Sequence, residues 1–288
     1  MSADLASARH DAFVDLHMHS TASDGSCAPA AVVEEAVRAG LVAIALTDHD
    51  TLDGLAEARD AGARLGVRVI AGVELSATEG DREVHLLGLH LSRVAPIERR
   101  LAGFRESRRD RARRIVDKLN ALGLPVSLDA VLAEAGEGTV GRPHVARALV
   151  AGGWARDTRE AFDRWLGDGR PAYAPKDRLE VAEAVALVHA AGGIAVLAHP
   201  GAEFTLARLE SLRAAGLDGV EVLHPSHGAG DIRRIGAIAE QLELVPSGGS
   251  DWHGNGGSRA LGCMHVPAAW LEAQEARVRV LAEREKVA

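Results

Sequence analysis

The chain has 288 residues, 47% of them hydrophobic, which is enough to bury a large core and argues against a disordered chain. Its formal charge of -8 and isoelectric point of about 5.9 exclude a protein that coats duplex nucleic acid through bulk charge, so any anionic substrate has to be captured locally. Two cysteines, Cys27 and Cys263, make neither a zinc ribbon nor a disulfide framework, and no apolar run approaches the roughly 20 residues of a membrane span. With no leader-like opening either, the expectation is a soluble, cytoplasmic protein.

In chain order, FVDLHMH reads as a strand, PAAVVEEAVRAG as an amphipathic helix, LVAIALTDHD as a second strand, 52–65 as a helix and VRVIAGVELSA as a third strand. Pro29 suits a first helical turn, and Gly40 and Gly66 stand where helices should stop. Such alternation predicts parallel strands joined by crossover helices, with REVHLLGLHLS as a further strand. Beyond Pro96 helix follows helix, starting with a long one over 97–122. The alternation then resumes: AEAVALVHAAGG, the strand of IAVLAHPG, a helix near 206–214, GVEVLHP, a helix near 231–242 and LELVPSGGSDWHG. This order predicts an α/β barrel or layered sheet in two parts, 11–95 and 182–288, with a helical insertion over 96–181.

Thirteen histidines stand against four Phe, four Trp and one Tyr, a skew that points to metal because buried imidazole needs a partner. The chemistry gathers at strand ends: His17 and His19, then Asp48 and His49, Glu74, His85, His199, and finally Asp251 and His253. Sites are built at that end of barrels and open α/β sheets. Side chains alternate along a strand, so His17 and His19 share a face, as do Asp251 and His253. Asp24 in the loop between the first strand and helix adds a carboxylate. A lone His-x-His pair has little weight, but its recurrence with carboxylates at strand after strand favours a cluster of zinc, manganese or iron. His10, His90, His189 and His265 lie off the pattern and read as structural or exposed. His144, His224 and His227 stay open, and His224 competes with His199 as the ligand of its region.

The motifs DLHMHSTASDG, LTDHDT, GVELSA, EVHLLGLH, AHPG and GSDWH resemble the successive motifs of the PHP (polymerase and histidinol phosphatase) superfamily, from Asp15 to His253. Within it the chain is most similar to nucleoside 3',5'-bisphosphate phosphatases and 5'-3' oligoribonucleotide exonucleases, through Arg142-Pro143-His144-Val145-Ala146-Arg147 and Gly169-Arg170-Pro171-Ala172-Tyr173 in the insertion. The resemblance implies a distorted (β/α)7 barrel with an inserted helical domain. It also implies two or three divalent ions, manganese foremost with iron or zinc as alternatives, on His17, His19, Asp24, His49, Glu74, His85, His199, Asp251 and His253.

Such a cluster implies attack on phosphorus by a metal-bound hydroxide, with Asp251 and His253 at the reacting centre and His227 or a metal-bound water giving the leaving oxygen its proton. Specificity then falls to the insertion. Its long helix keeps Ile97, Leu101, Phe104, Ala112, Ile115, Leu119 and Leu122 on one stripe, and Arg108 falls on that stripe. Arg108 and Arg111 either pair with acidic neighbours or grip a second phosphate. Arg142 and His144, just before a helix expected at Val145, are better placed for an anion, and Arg170, Tyr173 and His227 add contacts. Arg105, Arg109, Arg113 and Arg114 read as the solvated face.

The expected activity is removal of the 3'-phosphate from a nucleoside 3',5'-bisphosphate. A second reading is 5'-3' degradation of short 5'-phosphorylated single-stranded RNA, followed by hydrolysis of histidinol phosphate and by a noncatalytic metal-binding module. Duplex nucleic acid and membranes are not expected partners.

Overall fold

The computed structural model describes residues 12–80, 82–136, 140–175, 179–201, 204–254 and 259–287. His10 and the side chains of Phe104 and Arg105 lie outside the described residues. The chain divides into two compact units, one made of Met1–Glu98 with Arg178–Ala288 and the other of Arg99–Asp177.

In the first unit, β1 (Phe13–Asp15), β2 (Ala43–Leu46), β3 (Arg68–Glu79), β4 (Arg82–Leu89), β5 (Ile194–Leu197), β6 (Gly219–Leu223), β7 (Val245–Gly248) and β8 (Val266–Pro267) form one sheet in the order β7-β6-β5-β4-β3-β2-β1-β8. The sheet nearly closes on itself. Past β1 the chain hydrogen-bonds to the segment that follows β7: the Leu16 N–H donates to Gly248 O at 3.1 Å, the Asp251 N–H to His17 O at 2.9 Å and the His19 N–H to Trp252 O at 2.8 Å. The strand beyond the seven expected is β8, two residues that pair antiparallel with the start of β1.

Uniformly parallel pairing is not what forms. β4 runs antiparallel to both β3 and β5, whereas β1–β2, β2–β3, β5–β6 and β6–β7 are parallel. Only two residues separate Glu79 from Arg82, too few for the crossover that a parallel neighbour requires. The reversal matters for the site: the N-terminal half of β4, with His85, lies at the same barrel end as the C-terminal ends of the parallel strands.

Alternate strand residues fill the interior: Val14, Leu16, Ala43, Ala45, Ile70, Leu87, Leu89, Ile194, Val196 and Ala198. The opposite face of β2, Ile44 and Leu46, packs on α1 (Pro29–Arg38) and α2 (Leu55–Leu65) through Val32, Val33, Ala36, Ala58 and Ala61. Each fully buried Val or Leu contributes roughly 1.5–3 kcal/mol. Pro29 stands in the first turn of α1, and Gly66 ends α2 at φ +77°, a left-handed position where a Cβ is penalised.

Helix α3 (Ala95–Ala121) leads into the second unit, where α4 (Leu128–Ala135), α5 (Arg142–Ala151), α6 (Thr158–Ala161) and a π-helical turn (Phe162–Leu166) follow. The expected stripe on α3 is buried at Ile97, Leu101, Ala112, Ile115 and Leu119; Leu122 is 48% exposed because the helix stops at Ala121. Val131, Val145, Leu149, Trp165 and Leu166 complete this unit's core. The first unit resumes with α7 (Val181–Ala190), α8 (Leu206–Ala214), α9 (Ala229–Gln241) and α10 (Ala268–Val287). Among the described residues no helix is long and apolar enough to cross a membrane.

Candidate metal centre

The centre begins with a slip in strand phase. Val14 and Leu16 face the barrel interior, but Met18 packs into the outer cluster with Trp252, so His17 and His19 on either side of it turn inward together. Gly249 makes room for this: a Cβ there would lie 2.4 Å from the His17 Cβ, closer than any real contact. Asp15, fully buried, braces the turn by accepting the N–H groups of His17 (3.3 Å), Ser250 (3.0 Å) and Gly262 (2.8 Å). Asp48 shapes the loop that carries Asp24 by accepting the Ser20 N–H at 2.7 Å and the Ser20 and Ser23 hydroxyls at 2.8 and 2.7 Å.

Glu74 is the hub. It sits within β3 rather than at its end, 1% exposed. Its Oε2 lies 3.3 Å from the Nε2 of His17, 3.3 Å from that of His19 and 3.1 Å from the Nδ1 of His49. Its Oε1 lies 2.8 Å from His85 Nδ1 and 3.1 Å from His199 Nε2. Asp251 Oδ1 stands 3.4 Å from His17 Nε2 and 3.2 Å from His19 Nε2. Asp24 gathers the other side, 3.3 Å from His253 Nε2, 3.7 Å from His19 Nδ1 and 3.8 Å from His49 Nε2. The side chains fall into overlapping groups able to hold an ion: His19, Asp24, His49 and His253; His17, Glu74 and His199; His17, His224 and Asp251; His49, Glu74 and His85.

The spacing fits metal. Two ligand atoms about 2.1 Å from one ion stand roughly 3.0–3.4 Å apart. Moreover His17 Nε2, both ring nitrogens of His19, Glu74 Oε2 and His85 Nδ1 are buried without a hydrogen-bond partner. Each such atom costs about 1–3 kcal/mol unless something satisfies it, and a divalent ion satisfies several at once.

The electrostatics agree. Burial opposes the ionised Glu74, yet the surrounding His17, His19 and His199 hold its carboxyl well below the usual range. Burial likewise works against Asp24, which its hydrogen bond to His253, with His49 and His19 near, pulls down to about 2. Burial lowers His49 to about 4, so that ring is neutral near pH 7 and free to ligate. Burial also opposes the charged rings of His17, His253 and His85. It is outweighed at His17 by Glu221 and Glu74, at His253 by Asp24, which lifts it to about 9, and at His85 by Glu74.

The nine expected positions lie together, and His199 and His224 face different carboxylates. His199 faces Glu74, while His224 Nε2 lies 3.4 Å from Asp251 Oδ2. His227 lies beside His224 with its ring buried; its Nδ1 donates to Val222 O at 3.0 Å and its Nε2 lies 3.4 Å from the Gly201 N–H. His90 pairs with Gln274, His189 with Asp218, and His265 packs on Phe13, all away from the centre. Glu221 was not singled out from the sequence. Fully buried, it lies 3.1 Å from His17 Nδ1 through Oε1. Its signal is a glutamate between two valines in the GVEVL strand.

In the second unit, Arg111 is 9% exposed and donates through Nε to Ala174 O at 2.8 Å, so its partner there is a carbonyl rather than an acid. Burial and then the Arg142 and Arg108 charges depress its pKa. Arg142 pairs with Asp168 at 2.6 Å and lies over the rings of Tyr173 (5.5 Å) and Phe162 (5.8 Å). Arg142 and His144 belong to the first turn of α5 rather than preceding it, and His144 Nδ1 accepts the Gly141 N–H at 2.9 Å. Arg170 is exposed, and Arg113 pairs with Asp110 on the solvated face.

Residues 15–121 match the PHP domain family model. A 3',5'-nucleoside bisphosphate phosphatase of Chromobacterium violaceum is 37% identical over 258 residues, 86% of this chain and 90% of that protein. A 5'-3' exoribonuclease of Haemophilus influenzae is 34% identical over 264 residues, covering 90% of this chain and 92% of its own. A phosphoribosyl 1,2-cyclic phosphate 1,2-diphosphodiesterase of Eggerthella lenta is 37% identical over 260 residues, 88% of this chain and 99% of its own. A crystal structure from Bifidobacterium adolescentis, described as a metal-dependent phosphoesterase, superposes with a TM-score of 0.76 at 33% identity over 92% of this chain and 96% of the other. With its strands wrapped around a His, Asp and Glu cluster of this kind, the chain belongs to the PHP domain family and is a hydrolase of phosphoester bonds.

Proposed function

We propose that the chain removes the 3'-phosphate of nucleoside 3',5'-bisphosphates, using two or three divalent ions, manganese foremost with iron or zinc as alternatives. His17, His19, Asp24, His49, Glu74, His85, His199, Asp251 and His253 would hold them. The observation that carries the metal is Glu74, whose two buried oxygens each face imidazole nitrogens at ligand-to-ligand spacing. When bound, divalent ions lower the pKa of water toward neutrality and neutralise charge on phosphoryl oxygens. The 37% identity to the Chromobacterium violaceum phosphatase over most of both chains supports the bisphosphate.

The insertion, 96–181, supplies the grip on the rest of the substrate. Arg142 is the leading contact for the 5'-phosphate, since an incoming phosphate competes with Asp168 for a guanidinium that the Tyr173 and Phe162 rings already orient. Arg108, Arg111 and Arg170 add positive charge, His144 keeps Nε2 available, and Tyr173 offers a stacking face. The same residues serve a second reading, 5'-3' hydrolysis of short 5'-phosphorylated RNA, which the Haemophilus influenzae exoribonuclease supports.

The test is a substrate panel on manganese-loaded protein: adenosine 3',5'-bisphosphate, a 5'-phosphorylated oligoribonucleotide, phosphoribosyl 1,2-cyclic phosphate and histidinol phosphate. Phosphate release from the first at the highest kcat/KM is the expected result. Inactivity on the first two with turnover of the cyclic phosphate moves the assignment to the chemistry of the Eggerthella lenta relative.

A further inference from the structure

We infer that Glu221 is a positioning residue that fixes how His17 and His199 are presented, and so sets the ion affinity on their side of the centre but not on the Asp24 side; this rests on the metal-dependent reading above. Glu221 lies on β6 just before a break in register, where Glu221 pairs with Ser247 and Leu223 with Gly248, leaving Val222 as an extra residue. It has 0% exposure, so its charge is held by specific partners rather than by water.

Each oxygen has its own task. Oε1 lies 3.1 Å from His17 Nδ1, and an ionised carboxylate only accepts, so the neutral ring carries its proton on Nδ1. The lone pair then falls on Nε2, the His17 nitrogen that has no hydrogen-bond partner and faces Glu74 Oε2 at 3.3 Å and Asp251 Oδ1 at 3.4 Å. A carboxylate behind a ligating imidazole fixes the tautomer and orients the ring. Oε2 accepts the His199 N–H at 2.7 Å. His199 has φ +28°, outside the ordinary range of a residue with a Cβ, and it needs a partner to hold that backbone while its Nε2 stays 3.1 Å from Glu74 Oε1. One carboxylate therefore orients two candidate ligands that follow separate strands. Among the described residues, no hydrogen bond of Glu221 reaches Asp24, His49 or His253.

The test is Glu221→Gln, which keeps the volume but leaves one accepting oxygen for two donors. Titration with Mn2+, counting free ion by electron paramagnetic resonance, should show affinity on the His17 and His199 side falling roughly 10- to 100-fold while one ion binds as in the parent. Equal affinities for every ion in variant and parent overturn the inference, as does equal weakening of every ion in a variant that keeps its circular dichroism and melting temperature. The parent protein gives a second measurement that needs no variant. Nitrogen-15 shifts of the metal-free form, taken at a pH high enough to leave the His17 ring neutral, should show its single proton on Nδ1, and a neutral ring protonated on Nε2 overturns the inference. A parent that binds fewer than two ions removes the metal reading itself, a result distinct from a loaded parent matched by its variant.

Discussion

At the scale of single residues, the centre is a set of imidazoles and carboxylates whose proton affinities have been pushed apart. His17, His85 and His253 hold protons more tightly than free histidine, His253 up to about 9, whereas Asp24 at about 2 and Glu74 are already ionised at neutral pH. Ions and protons compete for the same nitrogens, so loading at pH 7 should release protons, and affinity should rise as pH increases toward 9. Calorimetric titration in buffers of different ionisation enthalpy measures this; no proton release at pH 7 would contradict the arrangement. For the metal-free protein the sign is the reverse. Stability contributed by the raised His253 is fully present below about pH 6.5 and lost as pH climbs through about 9, and that of His17 is lost likewise as pH rises through its own raised pKa. In the insertion, Arg142→Ala should raise KM for the bisphosphate by about 10- to 100-fold, the loss of a charge-assisted contact, and change KM for p-nitrophenyl phosphate little. Equal effects on both substrates would remove Arg142 from the 5'-phosphate site.

At the scale of elements, the centre depends on strands that depart from ideal alternation. His17 and His19 turn inward because the phase slips after Leu16, and Gly249 is the residue that permits it. Gly249→Ala should therefore destabilise the fold by about 1–3 kcal/mol through overpacking and weaken metal binding together with it. A variant with parental melting temperature and metal content would show that the close approach is dispensable. The candidate ligand positions other than Asp24 are legible in the sequence because each lies in or at the end of an apolar run, where a charged or imidazole side chain is conspicuous. The reversed β4 follows from a connection of two residues, but length reasoning must be applied to that one link to see it. Two assignments escape such reading for a physical reason. The backbone partners of His227, at Val222 and Gly201, and the approach of Glu221 to a His17 ring far away in sequence are set only by the fold. Position near a strand end says nothing about where nitrogens and oxygens point.

At the scale of the whole molecule, a barrel unit carries the candidate centre and a helical unit with its own core carries the arginines proposed to read the substrate. Because the orphaned ligand atoms belong to the folded barrel and not to the unfolded chain, ions should stabilise the protein by about 2.7 kcal/mol at a hundredfold excess over Kd. Chelation should lower the melting temperature by several degrees, and Mn2+ should restore it; an unchanged melt would mean that the centre holds no ion in the folded state. Phosphate released from adenosine 3',5'-bisphosphate as a function of Mn2+ bound per chain ties this centre to one reaction. Metal-free protein should show no turnover, and activity should rise with the second equivalent of ion. Full activity without metal, or fully loaded protein that leaves the 3'-phosphate intact, would contradict that assignment.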